Sequence, residues 1–295
     1  MIPIPPGRGG TRKQAGAKRT EFGNYMIEKK IGPLHLVCFE NLLQYQEIRH
    51  FVSTRTGGFS NPPYDSLNLG FHVGDDPEHV LKNRKRLAAT IGIPLNHFTI
   101  GRQIHSGNVT IISEELRGKG CANHNEAINA TDAMVTSVPD ICLIILVADC
   151  VPMLFFDPVR RAIGVAHAGW HGTLQCIAQN TIKAMEKAFG SSPQDIIVGM
   201  GPSIGPCCYE VGPEVISRVK SIFRTTNQYI VNESKDGKGY FDLWKANLKQ
   251  LLHAGVEKKN IEMAQKCTCD NSDLFFSYRH QKGDTGRFGA GITIC

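Results

Sequence analysis

Five short segments concentrate glycine, histidine, cysteine and aspartate where a hydrophobic core would need none of them. They are Ser53-Thr-Arg-Thr-Gly-Gly-Phe-Ser60, Gly101-Arg-Gln-Ile-His-Ser106, Ala148-Asp-Cys-Val-Pro152, Gly164-Val-Ala-His-Ala-Gly-Trp-His-Gly-Thr173 and Gly201-Pro-Ser-Ile-Gly-Pro-Cys-Cys-Tyr-Glu210. The third and fourth carry most information. One apolar run ends abruptly in Asp149-Cys150, and a second ends in His167-Ala-Gly-Trp-His171. If the two runs are neighbouring strands, Cys150 and His167 emerge together at one edge of a sheet, where sites in α/β proteins usually lie. A thiolate and a neutral imidazole suit zinc. One more histidine would give three protein ligands and an open fourth position, the pattern of catalytic rather than structural zinc. His105, beside Gln103 and Ser106, is the best third candidate. The spacing matches no local metal motif, and each residue taken alone is more often a core cysteine or a capped histidine. The competing chemistry is a cysteine nucleophile at Cys150 with His105 or His167 as its base.

Around these residues stand groups that could serve a substrate. Asp149 is the candidate for moving protons, although strand alternation could turn it from the metal. His171, with the backbone of Gly169 and Gly172, sits where a helix begins, and a helix start attracts anions. A turn that merely needs small residues is the alternative there. Thr54-Arg55-Thr-Gly57-Gly58 resembles an anion cradle in which Arg55 supplies a forked donor set, and a surface turn is again the alternative. Gln103 is placed beside the His105 ligand, and Arg279 could contact substrate or pin the C-terminal segment. Cys207-Cys208 is not expected to form a disulfide in a reducing cell. Cys267-Thr-Cys269 lacks the gap of a zinc knuckle and has no partner pair nearby in sequence. Both pairs are read as structural.

The elements that must position these groups follow from hydrophobic periodicity. A helix is expected over Thr173–Phe189, with Leu174, Ile177, Ala178, Ile182, Met185 and Phe189 on one face and Gly190 as its stop. A second is expected over Asp76–Ile91, with Val80, Leu87 and Ala88 inward and Lys82, Arg84, Lys85 and Arg86 outward. A third opens at Asp242 as N-cap and runs to Ala254. Buried strands are expected at Ile141–Ala148, Met153–Phe156, Ala162–His167, Asp195–Met200 and Gly289–Ile294. Helices and strands mix irregularly, so the expected class is α/β of the α+β type, a single domain with a mixed β-sheet flanked by helices.

Composition narrows the function classes. The chain has 295 residues, 41% hydrophobic and 20% charged, as a globular protein has. Its longest apolar run, Ile141–Ala148, falls far short of the roughly 20 residues of a membrane span, and no signal-peptide core is seen. The net charge of +6 is a property of one end. Residues 1–20 hold Arg8, Arg12, Lys13, Lys18 and Arg19 and no acid, leaving 28 bases against 27 acids elsewhere. A nucleic-acid-binding domain would carry its charge in the fold, so no nucleic-acid partner is expected. Residues 1–24 read as a flexible basic arm able to recruit a protein partner or an anionic surface, and residues 25–295 as the catalytic domain. The ten scattered cysteines point to a reducing, cytoplasmic setting, with organellar import through the basic arm the alternative.

Together the segments resemble the YfiH/YlmD-type family, also called the laccase-domain or polyphenol-oxidase-like family, from about Phe51 to Ile294. Further matching pieces are Asn68-Leu-Gly70, Asn83-Arg84, Gln103-Ile-His105 and Phe276-Ser-Tyr-Arg279. The resemblance implies a zinc held by His105, Cys150 and His167. It also implies phosphorolysis of adenosine, inosine, guanosine and methylthioadenosine, and hydrolytic deamination of adenosine. One departure is His171, where the family usually has Arg or Lys; a neutral imidazole is a poorer contact for phosphate. The family's older name implies a copper phenol oxidase. Multicopper sites typically use His-x-His pairs, which none of the eleven histidines forms, and three candidate ligands cannot hold several coppers. A scaffold protein on an inherited enzyme fold is the remaining alternative.

Overall fold

The apolar run at residues 141–148 is buried along its whole length, on both faces, and the architecture is built around it. The computed structural model describes residues 26–223 and 228–295. Within strand β7 (Cys142–Val147), Leu143, Ile145 and Val147 face one core while Cys142, Ile144 and Leu146 face another. Such two-sided burial is why the strand is apolar throughout rather than alternating.

β7 belongs to a six-stranded sheet with β1 (Ile27–Ile31), β2 (Leu34–Cys38), β3 (Ile48–Ser53), β4 (Phe98–Ile100) and β15 (Phe288–Ile294), in the order β1-β2-β3-β15-β7-β4. Only the β4–β7 pairing is parallel. A second six-stranded sheet is formed by β5 (Val109–Ile111), β6 (Ala133–Thr136), β8 (Val151–Asp157), β9 (Ala162–Ala168), β10 (Ile197–Met200) and β14 (Ile261–Met263), in the order β14-β10-β8-β9-β6-β5. Here the two outer pairings, β10–β14 and β5–β6, are parallel. A small antiparallel sheet joins β11 (Glu210–Val211), β13 (Gly239–Phe241) and β12 (Ile230–Val231). The helices are α1 (Glu40–Leu43), α2 (Pro77–Ile91), α3 (Trp170–Leu174), α4 (Ile177–Phe189), α5 (Pro213–Ile222) and α6 (Leu243–His253).

The large sheets pack face to face over Ile145, Val147, Leu154, Phe156, Ile163 and Val165. The outer face of the second sheet, with Val151, Met153, Phe155 and Ala166, is covered by Ile177, Ile182 and Met185 of α4 and Leu251 of α6. On the outer face of the first, Phe98, Ile144 and Leu146 meet Leu87 and Ala88 of α2. Four layers result: helix, sheet, sheet, helices. None of the described helices is long and apolar enough to cross a membrane.

The mixed α/β class is as expected, with one correction to the sheet count: the described residues form two mixed sheets. β7 and β9 are therefore not neighbours, because they lie in opposite sheets. The chain passes from one sheet to the other between Val147 and Val151, turning at Asp149 with φ 84°. Aspartate tolerates this left-handed region better than most side chains. β8 then runs antiparallel to β9 with Pro152 opposite His167, which carries Cys150 to His167 by a different route.

Two helix expectations also need correction. The segment Thr173–Phe189 is not one helix: Cys176, at φ 59°, separates α3 from α4. Thr173 lies inside α3, its hydroxyl accepting from Asn247 and its carbonyl from Gln250, and the helix begins at Trp170 with Gly169 as N-cap, beside His171 as expected. Arg84 does not point outward from α2. It is buried, donating to the carbonyls of Leu69, Gly120 and Cys121 and stacking over Phe71. Asp242 is the N-cap of α6 as expected, accepting from the amide of Lys245, and Asp76 caps α2 by accepting from the amide of Glu78. The arm of residues 1–24 lies outside the described residues.

Candidate active site

Three elements deliver the principal side chains. Cys150 comes from the crossing between the sheets, His167 from the end of β9, and His105 from the loop that follows β4. Their ligand atoms all lie within 4.8 Å of one another, and the two imidazoles meet edge-on with centroids 4.8 Å apart. Gly169 is what lets them gather. A Cβ there would stand 2.9 Å from Cys150 Sγ and 3.1 Å from His105 Cδ2.

Asp132, just before β6, organises the cluster and was not singled out from the sequence. Its carboxylate accepts from His167 Nδ1 at 2.9 Å, from the backbone amides of Ile104, His105 and Ser106, and from the Ser106 hydroxyl. One buried carboxylate thus fixes the ring of one histidine and the loop of the other. With Nδ1 occupied, His167 keeps Nε2 for Cys150 and for a metal. Burial works against ionised Asp132, but the bonds to His167 and Ser106 outweigh it and hold the pKa near 2.

Electrostatics prepares the thiol. Burial alone would push the Cys150 pKa up, yet His167 and His105 pull it down to about 6. His167 moves the other way: burial opposes its charge, but Cys150 and Asp132 raise it to about 9. The two shifts run toward charge separation between Cys150 and His167, so a metal that replaces the thiol proton would meet a sulfur that ionises more readily than an ordinary cysteine. Two imidazoles and a thiolate from rigid elements match the donor set of a three-ligand zinc site.

The cluster lines a cavity of about 510 Å³, within the range of small-molecule sites. Trp170, Tyr209 and Tyr278 supply aromatic faces, and Arg279 and Arg287 the positive charge. Among the described residues, Asp149 is the one carboxylate in its lining. Its two oxygens accept from Thr268 Oγ1 and from the Arg279 amide. Gln103 also lines the cavity, and its amide continues the strand ladder by bonding both the N–H and the C=O of Leu146. The Arg279 guanidinium binds the carbonyls of Cys208 and Glu210.

Two of the residues singled out in the sequence stand elsewhere. Arg55 pairs with Asp65 at 3.0 Å, donates to the Ser272 carbonyl and stacks over Phe276. It ties two loops together and is not among the cavity residues. His171 stacks on Trp170 beside the cavity; burial, with positive charge from His105 and Arg218, holds its pKa below the ordinary value. Arg287 was not singled out in the sequence, while Trp170, Tyr209 and Tyr278 were visible only as parts of motifs.

A family model described as multi-copper polyphenol oxidoreductase laccase matches residues 49–295. The chain belongs to this laccase-like family. Its relatives carry other activities in their names. The purine nucleoside phosphorylase YlmD of Geobacillus stearothermophilus is 36% identical over 82% of this chain and 88% of its own length. The adenosine deaminase RL5 of an unknown prokaryotic organism is 35% identical over 83% of this chain and 93% of its own. Among solved structures, the YfiH protein of Bacillus licheniformis superposes with a TM-score of 0.86 at 34% identity, over 91% of this chain and 99% of that one.

Proposed function

We propose that the chain is a purine nucleoside phosphorylase, acting on adenosine, inosine, guanosine and methylthioadenosine, that also deaminates adenosine, with zinc held by His105, Cys150 and His167. The observation that carries this reading is the convergence of two imidazoles and a thiol in an aromatic-walled cavity large enough for a nucleoside. The names of the relatives agree with it. When bound, zinc supplies Lewis acidity at neutral pH. The donor count serves one ion and does not serve a multicopper array.

The chain's own groups divide the remaining work. Trp170, Tyr209 and Tyr278 offer π faces to a purine. In deamination, water adds at C6, the bond from C6 to the exocyclic nitrogen breaks and ammonia leaves, giving inosine. Asp149, the cavity's carboxylate, takes a proton from the attacking water and returns it to the leaving amine. In phosphorolysis, a phosphate oxygen bonds to C1′ as the bond to N9 breaks, giving free base and ribose 1-phosphate. Arg287 and Arg279 are the cations that hold phosphate for that step, a task for which neither Arg55 nor His171 lies in the cavity lining.

Chromatography of adenosine reactions with and without phosphate tests the proposal. Inosine without phosphate, and adenine with ribose 1-phosphate only in its presence, are the expected products. Failure of zinc-loaded protein to form any of them would reject the assignment.

The lowered Cys150 pKa also favours a second reading, a cysteine-dependent hydrolase. Alkylation separates the two. In metal-stripped protein the rate at Cys150 should rise with pH through a midpoint near 6 instead of 9, because the thiolate is the reactive form. Zinc should slow that reaction at least about tenfold, since a coordinated sulfur has its lone pair engaged. Equal rates with and without zinc would favour the hydrolase.

A further inference from the structure

We propose a second metal site, a structural zinc held by Cys207, Cys208, Cys267 and Asp270, that clamps the outer wall of the cavity. The three sulfurs and a carboxylate oxygen lie within 4.8 Å of one another. Their convergence comes from the parallel pair β10 and β14. Beyond the strands the two chains stay together, with Ser203 bridged to Cys267, and each then turns so that Cys207-Cys208 faces Cys267 and Asp270. In the sequence the two cysteine pairs stand 59 positions apart, from Cys208 to Cys267; the fold brings Cys267 to Cys207 and Cys208.

The arrangement is chemically specific. All three cysteines are free thiols. Cys207 and Cys208 both donate to Asp270, at 3.1 and 3.0 Å, one to each oxygen, and the Gly205 amide donates to Cys267 Sγ at 3.3 Å. Thiols are weak donors, so two of them crowded on one carboxylate is a poor use of that carboxylate unless something replaces their protons. Zinc(II) would do so, releasing three thiol protons to solvent and leaving three thiolates and one carboxylate about a single ion. Four protein donors close the tetrahedron, as structural zinc requires. The carboxylate fits zinc better than cuprous ion, whose preferred ligands are all soft. Cys267 is buried while Cys207 and Asp270 are exposed, so an ion has a path in.

The site is separate from the cavity but wired to it. Cys208 is followed by Tyr209, which lines the cavity, and its carbonyl receives Arg279. Cys267 is followed by Thr268, which donates to Asp149. An ion binding both turns would fix the aromatic, the arginine and the carboxylate of that wall in register.

The Cys150→Ala chain tests this without disturbing the second cluster. After loosely held metal is removed, zinc analysis should find about two ions per wild-type chain and about one in Cys150→Ala. Adding Cys207→Ser should remove the remaining ion. In zinc-loaded Cys150→Ala, alkylation of Cys207, Cys208 and Cys267 should slow at least about tenfold relative to chelator-treated protein. Substitution by cobalt(II) should give the absorption of several thiolate ligands. A Cys150→Ala chain that retains no zinc and shows no protection would overturn the proposal, as would recovery of these cysteines as disulfides. Because this variant has lost the first site, the outcome does not depend on whether the nucleoside assignment holds.

Discussion

Replacing Asp132 by asparagine should lower zinc affinity about 10–100-fold and reduce turnover in step, although the residue is not a ligand. Asp132 accepts five hydrogen bonds, from His167, Ser106 Oγ and three consecutive backbone amides. An asparagine oxygen can satisfy some of these, but its NH₂ must then face another N–H. The His167 ring loses its fixed orientation, and the His105 loop loses its anchor. Competition against a chromophoric chelator would measure the affinity. The activity lost should be recovered at high zinc if Asp132 acts through the ligands. A loss of kcat that saturating zinc does not restore would give Asp132 a direct part in chemistry instead. The carboxylate's lowered pKa sets the sign of the pH effect. Its contribution to stability is complete above the unfolded value of about 3.8 and is lost as pH falls toward 2, so at neutral pH the variant is compared with a fully ionised aspartate.

Arg287→Met should divide the two reactions. The guanidinium lines the cavity, with its side chain braced by the carbonyls of Thr285 and Gly286 and set near the Tyr278 ring. If it holds phosphate as charge develops at C1′, its loss should cost phosphorolysis about 10²–10³-fold. Deamination uses no phosphate and should change by less than about threefold. Rates for inosine with phosphate and for adenosine without it, on one preparation, make the comparison. Equal losses in both reactions would mean that Arg287 shapes the cavity and does not recognise phosphate.

Much of the scaffold was legible because its central strands are buried on both faces and read as unbroken apolar runs. That same property hid the sheet partition. In β7, alternate residues serve two different cores, and no polar residue marks which face is which. Cys150, His167 and His105 stood out as chemical residue types at the ends of apolar runs or in a Gly-rich loop. Asp132 did not, since its partners lie 26 to 35 positions away in sequence and a single aspartate before a strand carries no signature. Arg84 was misplaced because helical periodicity assigns a charged side chain to solvent, while three backbone carbonyls can satisfy a guanidinium indoors. The break at Cys176 was invisible for a similar reason: the apolar spacing runs through it although the backbone does not.

The central claim is that one His–Cys–His cluster turns over purine nucleosides. Inosine tests it most directly, because it cannot be deaminated at C6 and so isolates phosphorolysis. Ribose 1-phosphate and hypoxanthine would be followed with metal-quantified wild-type protein and with Cys150→Ala, with and without phosphate. The account predicts equal amounts of the two products from the wild type, only when phosphate is present, and a loss of at least about 10³-fold in Cys150→Ala. Undiminished product formation by Cys150→Ala, or none from the zinc-loaded wild type, would contradict it.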